Sequence, residues 1–358
     1  MTRSVPGLLA LGLILSGAIV WTQPRPIKVM VLYDMEGTSG ATDFKQTTFA
    51  HQPEYTEGRT SLTADVNAAI AGLKAAGATE IVVVDGHGSG NTSEPDVFES
   101  QLLAPAKMIA RTAPFDIYMD SYDHSFDAIV AVAMHAGAGN QVGFLSHTYT
   151  FEDVDYRVNG VPFNESMILA AGAARLKIPL LMVSGDDQLE KEIRRSMPWV
   201  RCAATKHAVD RSKAEALPRQ EASQRIETAA REALQNITSA RLPDWPGPFR
   251  FALTFQDEGQ ARLAALVPGA ETLADARTVQ IRANDFEEGY RLSLRLINVA
   301  GAAAAAAARQ GVLAGQPNVA VLRTGVTDWL YDRFLNRLPA PQAPPPAPAG
   351  PVRYWGAR

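Results

Sequence analysis

The chain has 358 residues, 46% hydrophobic and 20% charged, with 34 basic residues against 38 acidic ones. These are globular proportions, long enough for one large domain or two ordinary ones. The near-balanced charge argues against nucleic acid as a partner. A single cysteine, Cys202, excludes a disulfide framework within the chain and a cysteine metal cluster.

The first 23 residues stand apart. Arg3 precedes the uncharged apolar run "GLLALGLILSGAIVW", Gly7 to Trp21, which is shorter than the about 20 residues of a spanning helix. A positive start and a short apolar core describe a secretory signal. Residues 1–23 are therefore expected to be a signal peptide and the protein to be exported, periplasmic or extracellular. No clean A-x-A cleavage pattern follows, so an uncleaved N-terminal anchor is the alternative, and the only expected contact with a membrane.

From Ile27 the chain alternates strand-like and helix-like patterns. "IKVMVLYD" is a continuous apolar run, and "SLTADVNAAIAGLKAAG" has helical spacing. "TEIVVVDGHGSG" and "FDAIVAVAMHAG" are further runs into glycines. "NESMILAAGAARLKI" reads as a helix and "PLLMVSGDD" as another strand. Unbroken apolar strands separated by helices indicate an α/β fold, a mostly parallel sheet flanked by helices, expected over residues 27–205. Beyond it a charged amphipathic helix, "RQEASQRIETAAREALQNI", leads to two strand-like runs from Phe249 and Thr278. A helix from Phe286 continues through an alanine run, since alanine has the best helix propensity. Residues 206–338 are expected to form a second, smaller α+β domain, and 339–358 a proline-rich tail that cannot build a core.

Ligands of such sheets bind beyond the carboxyl ends of the strands, and three strand ends here carry ligand-type residues. The first ends in Asp34 and Glu36, the second in Asp85 and His87, the third in His135. On an extended segment residues i and i+2 point the same way, which would aim Asp34 and Glu36 at one spot. Two imidazoles with several carboxylates form a nitrogen and oxygen ligand set that suits zinc, with manganese or iron as alternatives. Taken singly, a D-x-E pair reads as solvated loop acids and a lone histidine as a hydrogen-bonded structural residue. Their joint occurrence at three successive strand ends favours a metal site. Downstream, His147 sits in the loop "GFLSHTYT". Glu165 opens a helix behind Asn164, a plausible N-cap.

In order and rough spacing, "DMEGTSG", "DGHGSG", "AMHAGAG", "LSHT", "NGVPFNES" and "PLLMVSGDD" resemble the motifs of the zinc-dependent D-aminopeptidase (DppA-type) family. The agreement runs from Ile27 to about Ala208, and more weakly to about Val299. The resemblance implies a two-zinc site with Asp34, Glu36, His87, His135 and Glu165 as ligands and Asp34 bridging the ions. It also implies a catalytic role for His147, as nucleophile or as proton-transfer group. The implied activity is removal of N-terminal D-amino acids from short peptides and amides. The implied assembly is a two-domain α/β subunit in a homo-oligomer, a decameric ring that hides the active sites. The chain departs from the family in its N-terminal segment, in Asn164 where glycine is common, and in an extension over about Gly301 to Arg358.

Several residues complete the reading. Asp85 is a candidate for orienting a ligand. Lys206 is a candidate for a substrate carboxylate or carbonyl, with a solvated lysine as the plain alternative. Asp186 and Asp187 are expected to cap the helix beginning "DDQLEKEI", while His51, His124 and His207 stay outside the site. Two further functions compete: another zinc-dependent amidase or a phosphatase on the same scaffold, and an exported α/β solute-binding protein without catalysis. If the N-terminal segment is an export signal, the mature protein recovered outside the cytoplasm begins near Gln23; recovery of the full-length chain in the cytoplasm would refute this.

Overall fold

The computed structural model describes residues 25–109, 116–313 and 319–336. The apolar N-terminal run and the proline-rich tail lie outside the described residues. The strands are β1 (Lys28–Tyr33), β2 (Glu80–Asp85), β3 (Lys107–Met108), β4 (Ala128–Val132), β5 (Asp153–Val158), β6 (Val161–Pro162), β7 (Leu180–Asp186), β8 (Arg201–Asp210), β9 (Lys213–Ala216), β10 (Phe249–Phe255), β11 (Glu271–Thr272) and β12 (Thr278–Ala283). The α-helices are α1 (Gln52–Ala75), α2 (Glu165–Ala174), α3 (Asp187–Ser196), α4 (Arg219–Gln235), α5 (Glu258–Ala264), α6 (Phe286–Leu313) and α7 (Val319–Phe334). None of the helices among the described residues is long and apolar enough to cross a membrane.

The large sheet has the order β3-β2-β1-β4-β7-β8-β9. It is parallel throughout except for the edge strand β9. The central strands are apolar on both faces because alternate residues enter two different cores. Val29, Val31, Tyr33, Val130 and Val132 pack with Leu62 and Val66 of α1 and with Ile226 and Ala230 of α4. Met30, Leu32, Ile129 and Ala131 pack on the other side with Ile168 of α2, Leu189 of α3 and Leu296 of α6. Helices α1 and α4 meet so closely that a Cβ on Gly72 would lie 2.2 Å from the Glu227 carbonyl oxygen.

The smaller sheet, β11-β12-β10-β5-β6, is antiparallel throughout, and its Phe251, Phe255 and Ile281 join the core beneath α6. The two sheets do not divide at 205/206. Strand β8 runs across that position, and β9 and α4 stay with the large sheet because α4 covers the apolar face beside α1. In return β5 and β6, from within 27–205, pair with β10. The alanine run does extend α6. Helix α1 begins well before the expected Ser61, with a proline in its first turn, where the missing N–H costs nothing.

Lys206 on β8 is neither a solvated side chain nor poised for substrate. It is 3% exposed. Its ammonium donates to the carbonyls of Glu36 at 2.5 Å, Thr38 at 3.0 Å and Ala41 at 2.8 Å, with the Phe144 ring 4.4 Å away. Burial lowers its pKa to about 8. Three donors spent on three carbonyls tie the loop after β1 to β8, three strands away in the sheet. Replacing Lys206 by Met leaves those carbonyls without their donor; the expected cost is at least about 1–3 kcal/mol, read as a lower urea midpoint at unchanged m-value.

Candidate metal centre

The loop after β1 is held against the end of β4. Asp34 N donates to Val132 O at 2.9 Å and Gly37 N to Ala133 O at 2.8 Å. A Cβ on Gly37 would sit 1.9 Å from Met134 O, so this approach requires glycine. The pleat alternation expected of Asp34 and Glu36 does not operate here, because the chain turns directly after Tyr33, with Thr38 N bonding back to Met35 O at 3.1 Å. Met35 enters the core beside α1, and it is the turn that brings the two carboxylates together.

Two groups of ligand-type side chains result, one of Asp34, Glu36 and His87 and one of His135, His147 and Glu165. Within each group the ligand atoms lie within 4.8 Å of one another. Glu36 Oε1 is 3.2 Å from His87 Nε2. Between the groups, His135 Nε2 lies 3.2 Å from Asp34 Oδ2 and, inside its own group, 3.6 Å from Glu165 Oε2. The imidazoles of His135 and His147 stack with centroids 4.1 Å apart. All five residues expected as ligands therefore converge, and His147 stands among them.

Each side chain is fixed from behind. His87 Nδ1 meets Asp96 Oδ2 at 2.8 Å. Asp85 acts on the backbone instead, accepting from His87 N at 3.0 Å and from Asp96 N at 3.2 Å. His135 Nδ1 faces Ala136 O at 2.9 Å and His147 Nδ1 faces Leu145 O at 2.6 Å. A carbonyl only accepts, so both Nδ1 atoms donate, and in the neutral rings Nε2 carries the lone pair. Glu165 opens α2 behind the N-cap Asn164. It accepts from Tyr149 N at 2.5 Å and from the Tyr118 hydroxyl. Glu192 of α3 binds Gly137 N at 3.0 Å, Asn140 Nδ2 at 2.8 Å and Asn164 Nδ2 at 2.9 Å, joining the loops that carry His135 and Glu165. Ala133, Leu145 and Tyr149 adopt left-handed φ values of 60°, 50° and 72°. Such strain, of order 1–3 kcal/mol per residue, persists where the surroundings impose it.

The electrostatics are those of crowded, dry charge. Burial, and then the Glu36 charge, raise the Asp34 pKa. Burial also opposes ionisation of Glu36, but His87 outweighs it and holds that carboxyl well below the usual range. For His135 burial favours the neutral ring, yet Glu165 and Asp34 prevail and lift it to about 10. Burial, and then His135 itself, push His147 down to about 4. Glu36 Oε2 is buried with no hydrogen-bond partner among the described residues, and buried His135 Nε2 meets only the crowded carboxylates of Asp34 and Glu165. A buried carboxylate oxygen left unpaired is costly. Glu36 Oε2 and His135 Nε2 are both donor atoms that suit zinc, so the residues present fit a metal.

The groups open on a cavity of about 480 Å³ lined by Glu36, His87, His147, Tyr149 and Phe151. Asp96, Tyr118 and Glu192 were not legible as site residues, being separated in sequence from the motifs they support. His51 and His207 pair with Asp328 at 2.7 Å and Asp187 at 3.1 Å, away from both groups. Asp186 caps α3, accepting from Gln188 N and Leu189 N.

The sequence profile of the D-aminopeptidase family matches residues 27–294. A D-aminopeptidase of Bacillus subtilis (strain 168) is 30% identical over 277 residues, covering 76% of this chain and 98% of the relative. The solved structure of the Zn-dependent D-aminopeptidase DppA from Bacillus subtilis, described as a self-compartmentalizing protease, superposes with a TM-score of 0.70 at 29% identity. That match covers 77% of this chain and 98% of the other. With its fold, its convergent ligand set and these matches in agreement, the chain belongs to the D-aminopeptidase family and is a hydrolase of the metallopeptidase class.

Proposed function

We propose that the protein removes N-terminal D-amino acids from short peptides or amides at a centre of two zinc ions. The observation that carries this reading is the contact between the two ligand groups, Asp34 Oδ2 to His135 Nε2 at 3.2 Å. Asp34 belongs to the group with Glu36 and His87 and also touches the group of His135 and Glu165, which is the position a bridging carboxylate needs. Glu36 and His87 would hold one ion, His135 and Glu165 the other, and Asp34 both. Zinc held there supplies a Lewis acid that polarises the scissile carbonyl and makes water a better acid.

The chain's own groups do the rest. His147 Nδ1 is committed to Leu145 O, so Nε2 is available to take the proton of the attacking water and to return it to the leaving amine. Asp96 fixes the orientation of His87, as an outer carboxylate does for metal-bound imidazole. Tyr118 and Tyr149 N each bond one oxygen of Glu165 and fix the orientation of its carboxylate. The self-compartmentalizing character of the solved relative supports a homo-oligomer here, and the apolar N-terminal run supports export.

Two substitutions separate the roles. Asp34→Asn is expected to remove most of the bound zinc, measured by elemental analysis of the purified protein; full retention would refute the bridging assignment. His147→Ala is expected to lower hydrolysis of D-alaninamide by about 10²–10⁴-fold while the zinc content stays at its wild-type value. Loss of metal in that variant would make His147 a ligand, and equal hydrolysis of the L-amide by the wild type would overturn the D-specific reading.

A further inference from the structure

The family match ends at residue 294, whereas α7 begins only at Val319. The Bacillus subtilis relative is matched over 98% of its own length. Yet Thr327 and Leu330 of α7 line the same cavity as Glu36, His87 and His147. The helix is seated there by several independent contacts. Tyr331 stacks on Phe44 with centroids 4.0 Å apart, and Phe334 stacks on Phe151 at 4.3 Å. Phe151 in turn packs edge-on against the His147 ring at 4.8 Å.

Polar contacts fix the helix along its length. Asp328 meets His51 Nε2 at 2.7 Å, and Thr324 donates to Ala50 O at 3.3 Å. Arg333, 5% exposed, donates to Gln256, to Asp257 and, at 3.1 Å, to Gln260 Oε1. The Arg211 guanidinium lies 3.7 Å over the Phe334 ring. A helix docked through both ion pairs and stacked rings is a fixed boundary of the cavity.

We propose that α7 is a specificity-determining wall, built from outside the family's shared fold, that sets the size of the substrate's N-terminal side chain. Leu330 and Thr327 line the cavity together with Glu36, His87 and His147, and Phe44 and Phe151 add apolar surface to it. In this arrangement the bulk of the side chain at position 330 sets how large an apolar substrate side chain the cavity admits. The assignment rests on the D-aminopeptidase reading for the identity of the substrate, and on the cavity's lining alone for the role of the helix.

The test uses full-length zinc-loaded protein: wild type, Leu330→Ala and Leu330→Trp, with Leu266→Trp, on a 74% exposed side chain, as the surface control. The ratio of kcat/KM for D-phenylalaninamide to that for D-alaninamide is measured for each. Methylene-scale changes in an apolar pocket shift such ratios by about 10-fold or more. The ratio is expected to rise by that order in Leu330→Ala, to fall by that order in Leu330→Trp, and to stay at the wild-type value in Leu266→Trp. Calorimetric binding of the two amides to the same proteins gives the second readout, independent of turnover. If the wild type hydrolyses neither amide, the D-aminopeptidase reading fails, and the wall is then judged by the binding ratio, expected to move in the same directions. Ratios within twofold of wild type for both Leu330 variants, in proteins with unchanged thermal midpoints, overturn the wall. An altered midpoint in Leu330→Trp leaves Leu330→Ala, with the ratio expected to rise, and Leu330→Phe, with the ratio expected to fall, to decide.

Discussion

Three carboxylates, Asp34, Glu36 and Glu165, are buried at 3–4% exposure beside the 1%-exposed imidazole of His135. Water screens them poorly there, and burying each charge carries a desolvation cost that its surroundings must offset. The surrounding framework answers this cost. Asp96 neutralises the far side of His87, Tyr118 and Tyr149 N satisfy Glu165, and Lys206 pins the loop that carries Glu36. Glu36 Oε2, left without a partner among the described residues, and His135 Nε2, facing Asp34 and Glu165, are the atoms a cation would take. Burial, and then repulsion from Glu36, raise the Asp34 pKa, and positive charge at that point would relieve the repulsion.

This constraint explains where the backbone is strained. A strand end delivers a side chain in the direction of the pleat, but the two groups require approach from several directions at once. Ala133 turns the chain after β4 so that His135 faces Asp34, and Leu145 and Tyr149 bracket His147 in the same left-handed conformation. Regular structure carries the scaffold, and irregular backbone at its carboxyl edge carries the chemistry.

Much of this was legible in the sequence for identifiable reasons. Strands β1, β4 and β7 are buried along nearly their whole length and β2 along half of it, so their central residues read as apolar runs. Strand β5 did not, because in "DVDYRV" acids and an arginine alternate with the core residues Tyr156 and Val158. The division at 205/206 fails for another reason, since β8 runs across it and β9 and α4 stay with the large sheet. The D-x-E-G motif pointed to two carboxylates that do converge, but through the wrong geometry, since convergence comes from a turn that only Gly37 permits. Asp96, Glu192 and Lys206 act across the fold on atoms far along the chain, so no local pattern announces them. A lysine in a polar-looking strand gives no sign that three carbonyls will enclose it.

The order of the elements along the chain has its own consequence. Asp34, Glu36, His87, His135, His147 and Glu165 all precede residue 166, whereas the wall of the cavity belongs to α7, the last of the described elements. A chain made from its N-terminus has every ligand-type residue of the centre before it has the helix that bounds it. During synthesis the centre thus faces solvent on that side, and chamber enclosure becomes a late folding event, separable in time from assembly of the reacting groups.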